Sequence, residues 1–213
     1  MPKYKSLNEF LTTNKSLQCN VRGCDRKRTG KSNYCGRHRA RAYTWGHPEA
    51  GAVKSHVYSD EIEAVTRLLA KNADHEAIQY GRDWLAKMMA AAAKGGNIRG
   101  SMYWANLHNQ EVDPGELLSR LAGLWLFDQK DEIRRIIKND NHLTALSGNT
   151  VIRFAKMNGI KYVPPKIYRQ VGDQVRQGIG PLLINICRSS EKIELRKRNS
   201  RSKMLQALDL DGL

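Results

Sequence analysis

Cysteine is scarce in this chain: four residues in 213. That is too few for the cross-linked framework of a small secreted domain. Long apolar runs are also missing. No stretch reaches the ~18 residues needed to span a bilayer. The opening residues, MPKYKSLNEFLTTNKSL, lack the continuous apolar centre of a secretory signal. Acidic residues are in deficit, with 21 Asp and Glu against 36 Lys and Arg, a formal charge of +15. No segment alternates with period two for long, which argues against a body built on a sheet. There is no internal repeat, no low-complexity linker, no phosphate-cradling glycine loop, no nucleophile elbow and no histidine–glutamate zinc-protease helix. The expectation is a soluble cytoplasmic protein without a membrane partner. Its basic excess points to an anionic one: nucleic acid first, an acidic protein or membrane surface second.

The charge is unevenly spread. Residues 1–56 hold twelve Lys/Arg against three Asp/Glu, whereas residues 57–187 hold seventeen against fourteen. Residues 188–203 are basic again, with seven against two. The ends therefore read as binding surfaces and the middle as an ordinary globular body. The division expected is a basic module over residues 1–56, opened by a short helix, and an α-helical domain over 57–213 with a basic C-terminal helix. Residues 50–57 are the expected hinge.

Three of the four cysteines lie within CNVRGCDRKRTGKSNYCGRH, residues 19–38. The spacing is C-x4-C, ten residues, then C-x2-H. Two close ligand pairs joined by a longer loop are what a tetrahedral zinc site requires. Cys19 and Cys24 form one pair on a tight turn relaxed by Gly23. Cys35 and His38 form the other, on a turn entering a helix. The polar loop from Asp25 to Tyr34 cannot bury a core, so one structural Zn2+ would supply the folding free energy. The plain alternative is scattered thiols and a chance histidine. Cys187, in the apolar run PLLINIC, reads as a buried small hydrophobe.

Beyond the ligands, CNVRGCDR, NYCGRHRAR and GHP resemble a small zinc module of bacteriophage and prophage proteins that often sits beside HNH-type endonuclease domains. The matching positions are Cys19, Val21, Gly23, Cys24, Arg26, Tyr34, Cys35, His38, Arg41, Gly46 and Pro48. Arg39 departs from the pattern, standing where the family usually has an aromatic residue. The resemblance covers residues 17–50. It implies a zinc-binding module and a phage-type context. Around the ligands, Arg22, Arg26, Lys27, Arg28, Lys31, Arg37, Arg39 and Arg41 form a dense cationic surface suited to phosphate. Tyr43 and Trp45 are either stacking groups or cover for the module's apolar side. The alternative for the cations is a solvated surface with no partner.

The middle of the chain reads as helices, so the expected fold class is mainly α, with strands confined to the zinc module. YSDEIEAVTRLLAKN puts Ile62, Val65, Leu68 and Leu69 on one stripe, with Asp60 and Glu63 at capping-box spacing. A second helix follows Asp74-His75 and ends at Gly95-Gly96. MYWANL is a short apolar piece. VDPGELLSRLAGLWLFDQ starts with Asp113 as a cap, Pro114 at the first helical position and Glu116 behind it. KDEIRRIIKN reads as another amphipathic helix. Past Pro164-Pro165 a last helical stretch is expected to bend or break near Gly178–Pro181.

LSGNTVIRFAKMNGI, residues 146–160, resembles the second half of a helix-turn-helix opened by Ser147. Val151, Phe154 and Met157 would face the core, leaving Asn149, Thr150, Arg153 and Lys156 to meet DNA. Upstream, Asn141 and Ala145 depart from the motif's small residue and turn glycine. The plain alternative is an amphipathic helix with a glycine cap. An HNH site would need histidines on a strand pair and helix. Asp74-His75, His108-Asn109 and Asn141-His142 are the candidates, and none lies in such a frame. The reading is therefore a non-enzymatic nucleic-acid-binding protein of phage type, DNA ahead of RNA, acting as a regulator or a replication or transcription accessory. The alternatives are a phage adaptor or inhibitor that docks a host protein or nucleoprotein machine, and an HNH-like endonuclease.

Overall fold

The computed structural model describes residues 6–96, 98, 100–130, 136–155 and 162–210, with backbone alone for 191 and 193–210. The chain is mainly helical. In order, α1 spans Leu7–Ser16, α2 Gly36–Trp45, α3 Ser59–Lys71, α4 Glu76–Ala93, α5 Ser101–Asn109, α6 Pro114–Lys130, α7 Asp140–Phe154 and α8 Pro165–Leu210. A single 3₁₀ turn, Ser55–Tyr58, leads into α3. No helix among the described residues is long and apolar enough to cross a membrane. Among them the only β pairing is one isolated antiparallel bridge, Gln18 with Lys27. The strands expected in the module reduce to that bridge, because its backbone bonds close on turns around the ligands.

Helix α6 is the axis of the body. Most of its surface is apolar: of the residues from Gly115 to Leu126 all are buried except Glu116 and Arg120. A helix so largely apolar must be surrounded, and α3, α4, α7 and α8 all pack on α6. Its start follows the sequence: the Asp113 carboxylate accepts from the Gly115 and Glu116 N–H groups at 3.0 and 3.1 Å. Leu117, Leu121 and Leu126 are fully buried, as are Trp104 from α5 and Leu85 from α4. Each such Leu contributes about 1.5–3 kcal/mol by leaving water.

Helices α7 and α8 cross at two glycines. A Cβ on Gly148 would lie 1.8 Å from the Tyr168 carbonyl oxygen, and one on Gly172 would lie 1.8 Å from that of Thr144. The backbones therefore touch, and no side chain fits between them. Cys187 is fully buried, with its Sγ 3.9 Å from the Ala122 carbonyl oxygen.

Several expectations are corrected. The capping box at Asp60–Glu63 does not form: α3 begins at Ser59 without a side-chain cap, and Asp60 sits in its first turn. Glu63 instead pairs with Arg67 at 2.8 Å on the exposed face. His75 is the cap of α4, its Nδ1 accepting from the Ala77 N–H at 3.2 Å. Helix α8 runs unbroken through Pro181. The proline faces solvent, where exposed Gln177, whose carbonyl loses its helical donor, can turn to water, and the Tyr80 hydroxyl donates to the adjacent Gly178 carbonyl at 3.2 Å. Of the helix expected over KDEIRRIIKN, residues 131–135 lie outside the described residues, Lys130 ends α6, and residues 136–139 are not helical. Within the expected hinge, residues 50–57, Ala50 and Val53 are buried at 1% and 8% exposure while Val57 is exposed.

Candidate metal centre and the groove beside it

Cys19, Cys24, Cys35 and His38 come together as the spacing requires. Their ligand atoms all lie within 4.8 Å of one another. Cys24 Sγ stands 3.9 Å from Cys35 Sγ. His38 Nδ1 stands 3.3 Å from Cys19 Sγ and 3.6 Å from Cys35 Sγ. Zinc–sulfur bonds of ~2.3 Å at tetrahedral angles separate ligand atoms by about 3.8 Å, so the cluster has the size of such a site. The donor set, three thiols and one imidazole, is also the chemistry zinc takes. Four protein ligands would leave no open coordination position.

Local backbone explains the placement. Gly23 takes φ 73, a left-handed conformation that lets the Cys24 N–H reach the Val21 carbonyl at 3.1 Å. Cys35 is the N-cap residue of α2, so His38 follows one turn later on the same side. The His38 backbone N–H, the largest influence on the Cys35 thiol, helps hold its pKa below the ordinary value. At Cys24 the Arg26 backbone bond pulls the pKa down, but burial and the Cys19 and Cys35 thiols outweigh it and push it up. Cys35 is thus the more readily deprotonated of the two.

The basic residues divide by role. Arg28 is a staple within the module. Its Nε donates to the Gln18 carbonyl at 2.8 Å, and its terminal nitrogens reach Asn14, Asn33 and Asn20. Asn14 of α1, 3% exposed, donates to the Gly30 and Ser32 carbonyls at 2.7 and 2.9 Å. Arg28 was expected to meet phosphate, but its donors are committed inside. Arg22, Arg26, Arg37 and Arg41 line a groove of about 680 Å³ beside the ligands, with Asp25, Glu49 and, from the body, Lys138. Lys27, Lys31 and Arg39 are exposed away from it.

The module is docked on the body. Trp45 packs against Tyr168 of α8 at 5.3 Å between ring centroids and edge-on against His142 of α7 at 6.2 Å. Gly46, at φ 76, caps α2 and lies where a Cβ would fall 2.5 Å from that of Asn141. His142, 1% exposed, donates from Nε2 to the Gly51 carbonyl at 2.8 Å and accepts at Nδ1 from the Lys138 N–H at 3.2 Å. Burial is the main force holding its pKa below the ordinary value. Tyr43 stays 54% exposed, with the Arg169 guanidinium 5.7 Å over its ring. Trp45 is thus cover, and Tyr43 remains open.

The recognition-helix geometry expected at 146–160 is corrected. Ser147 opens nothing: α7 is one helix from Asp140, and Ala145 is in its interior. Asn149 is 6% exposed. Thr150 donates to the Leu146 carbonyl at 3.0 Å, and Arg153 is exposed. Lys156, with Met157, Gly159 and Ile160, lies outside the described residues. None of the three candidate nuclease histidines sits on a strand pair: His75 caps α4, His108 ends α5, and both ring nitrogens of buried His142 are occupied.

Sequence reading missed Asn14 and Lys138. Neither carries a local signal, since each acts on residues distant in the chain. No family model, no curated protein and no solved structure matches this chain.

Proposed function

We propose that this chain is a nucleic-acid-binding protein, DNA ahead of RNA, whose zinc-held N-terminal module carries the contact surface. The supporting observation is the groove beside the ligand cluster, where Arg22, Arg26, Arg37 and Arg41 meet Lys138 of the body against only two carboxylates. A row of guanidinium groups on a metal-pinned scaffold meets phosphates with little ordering cost. The contacts are chiefly to the backbone, so binding is only weakly sequence-dependent. The metal is structural, since four protein ligands complete its coordination, and the protein is not an enzyme. The phage-type role, as a regulator or a replication or transcription accessory, rests on the resemblance of residues 17–50.

A salt titration of duplex binding by the full zinc-loaded chain tests this. Affinity falls steeply with salt, by about 0.9 logarithmic units per contacted phosphate. Replacing Arg22, Arg26, Arg37 and Arg41 by Gln lowers that slope and weakens unrelated sequences alike, with zinc content unchanged. Unaltered affinity and slope in this variant would refute the reading. Absence of nucleic-acid binding in the parent chain would do so too, and would favour a host-protein adaptor.

A further inference from the structure

A second cleft lies on the body, between the 3₁₀ turn, the α5–α6 connection, α6 and α7. It holds about 620 Å³, within the range of small-molecule sites. Its lining is mostly polar and partly uncommitted. Asn149 projects into it from α7, and although 6% exposed its amide has no hydrogen-bond partner among the described residues. The amide is open to the cleft rather than sealed off, so a ligand can take the place of water there. Arg120 lies across the Phe154 ring at 4.6 Å and binds Glu116 through one terminal nitrogen at 3.0 Å. Its Nε–H is shielded and finds no acceptor. Arg153, on the same wall, makes no ion pair among the described residues.

The acidic groups there are largely engaged. Asp113 caps α6, and Glu116 is neutralised by Arg120. The groups left include the Arg153 guanidinium, the unpaired Nε–H of Arg120, the Asn149 amide and the Glu111 carboxylate. An amide offers a donor and an acceptor side by side, which a planar nucleobase edge complements. Guanidinium groups held flat on an aromatic ring complement phosphate. Val53 and Val112 supply apolar walls.

We propose that this cleft binds a nucleoside monophosphate, with the phosphate at Arg120 and Arg153 and the base edge at Asn149. The site is separate from the cationic groove and does not depend on the nucleic-acid reading.

Calorimetric titration of the full zinc-loaded chain with AMP, GMP, CMP and UMP, and with inorganic phosphate and adenosine as the separated halves, tests the proposal. At least one nucleotide is expected to bind more tightly than either half. Arg153→Gln is expected to weaken it by about tenfold or more while leaving the parent nucleoside unaffected. Asn149→Leu should remove the preference among bases. If that variant fails to fold, the exposed Arg153→Gln alone decides. The proposal is overturned if no nucleotide binds at millimolar concentration, if phosphate alone binds as well as every nucleotide, or if Arg153→Gln changes nothing. Neutralising Arg22, Arg26, Arg37 and Arg41 should leave nucleotide affinity intact, so the two sites fail independently.

Discussion

The N-terminal module and the helical body reach a defined structure by opposite means. In the module no residue of α2 is buried, and the few buried side chains, Cys19, Cys35 and Asn14, are joined by the half-buried Arg28 staple. In the body a single helix, α6, contributes ten buried residues between Gly115 and Leu126, and two helices meet backbone to backbone. One region depends on ligand chemistry and hydrogen bonds, the other on close packing. A metal held at the Cys19, Cys24, Cys35 and His38 cluster would let the module present its cationic surface with little apolar core of its own. The groove draws only Lys138 from the body.

The sharpest way to break the comparison is at the α7–α8 crossing. Gly148→Val places a side chain where a carbonyl oxygen already sits, so the helices must separate. Such overpacking costs about 3 kcal/mol or more, and thermal unfolding should show the body destabilised or unfolded, with zinc binding by the module retained. The converse change is Cys35→Ser. It should abolish the metal site and collapse residues 14–46, seen as lost amide dispersion, while the helical circular dichroism of the body persists. Arg28→Ala comes next. It removes hydrogen bonds to exposed Gln18, Asn20 and Asn33 and to buried Asn14, costing about 1 kcal/mol, and should show as weaker zinc retention against a chelator with no change in the body.

The smallest effect is expected at the seam between the regions. His142 is neutral in the fold because burial lowers its pKa. The unfolded chain therefore takes up this proton first as pH falls. Its contribution is complete above about pH 6.5 and is lost as pH drops below that toward the folded-state value. Denaturant midpoints of the parent chain should fall across that window more steeply than those of His142→Gln.

How much of this was legible in the sequence follows the same division. The metal quartet was legible because its ligands are local and their spacing carries the geometry. The arginines were legible as a group but not individually, since only the fold separates the inward Arg28 from the outward Arg26. Helix α7 was misread for a physical reason. Its polar residues satisfy themselves on their own helix: Thr144 on Asp140, Ser147 on Leu143 and Thr150 on Leu146. A buried helix can then carry the pattern of a surface one. Ser147 also accepts from the Trp125 indole at 3.0 Å, a partner no local pattern announces. The continuity of α8 through Pro181 was hidden likewise, because a proline on the solvent face leaves the Gln177 carbonyl to water.

Native mass spectrometry of the full chain, before and after Cys35→Ser, tests the central claim most directly. The parent should carry one zinc ion per chain, retained in the Arg22, Arg26, Arg37 and Arg41 variant and absent from Cys35→Ser. A parent chain purified with zinc available yet free of metal, or a Cys35→Ser variant that keeps its ion, would contradict a zinc-held module.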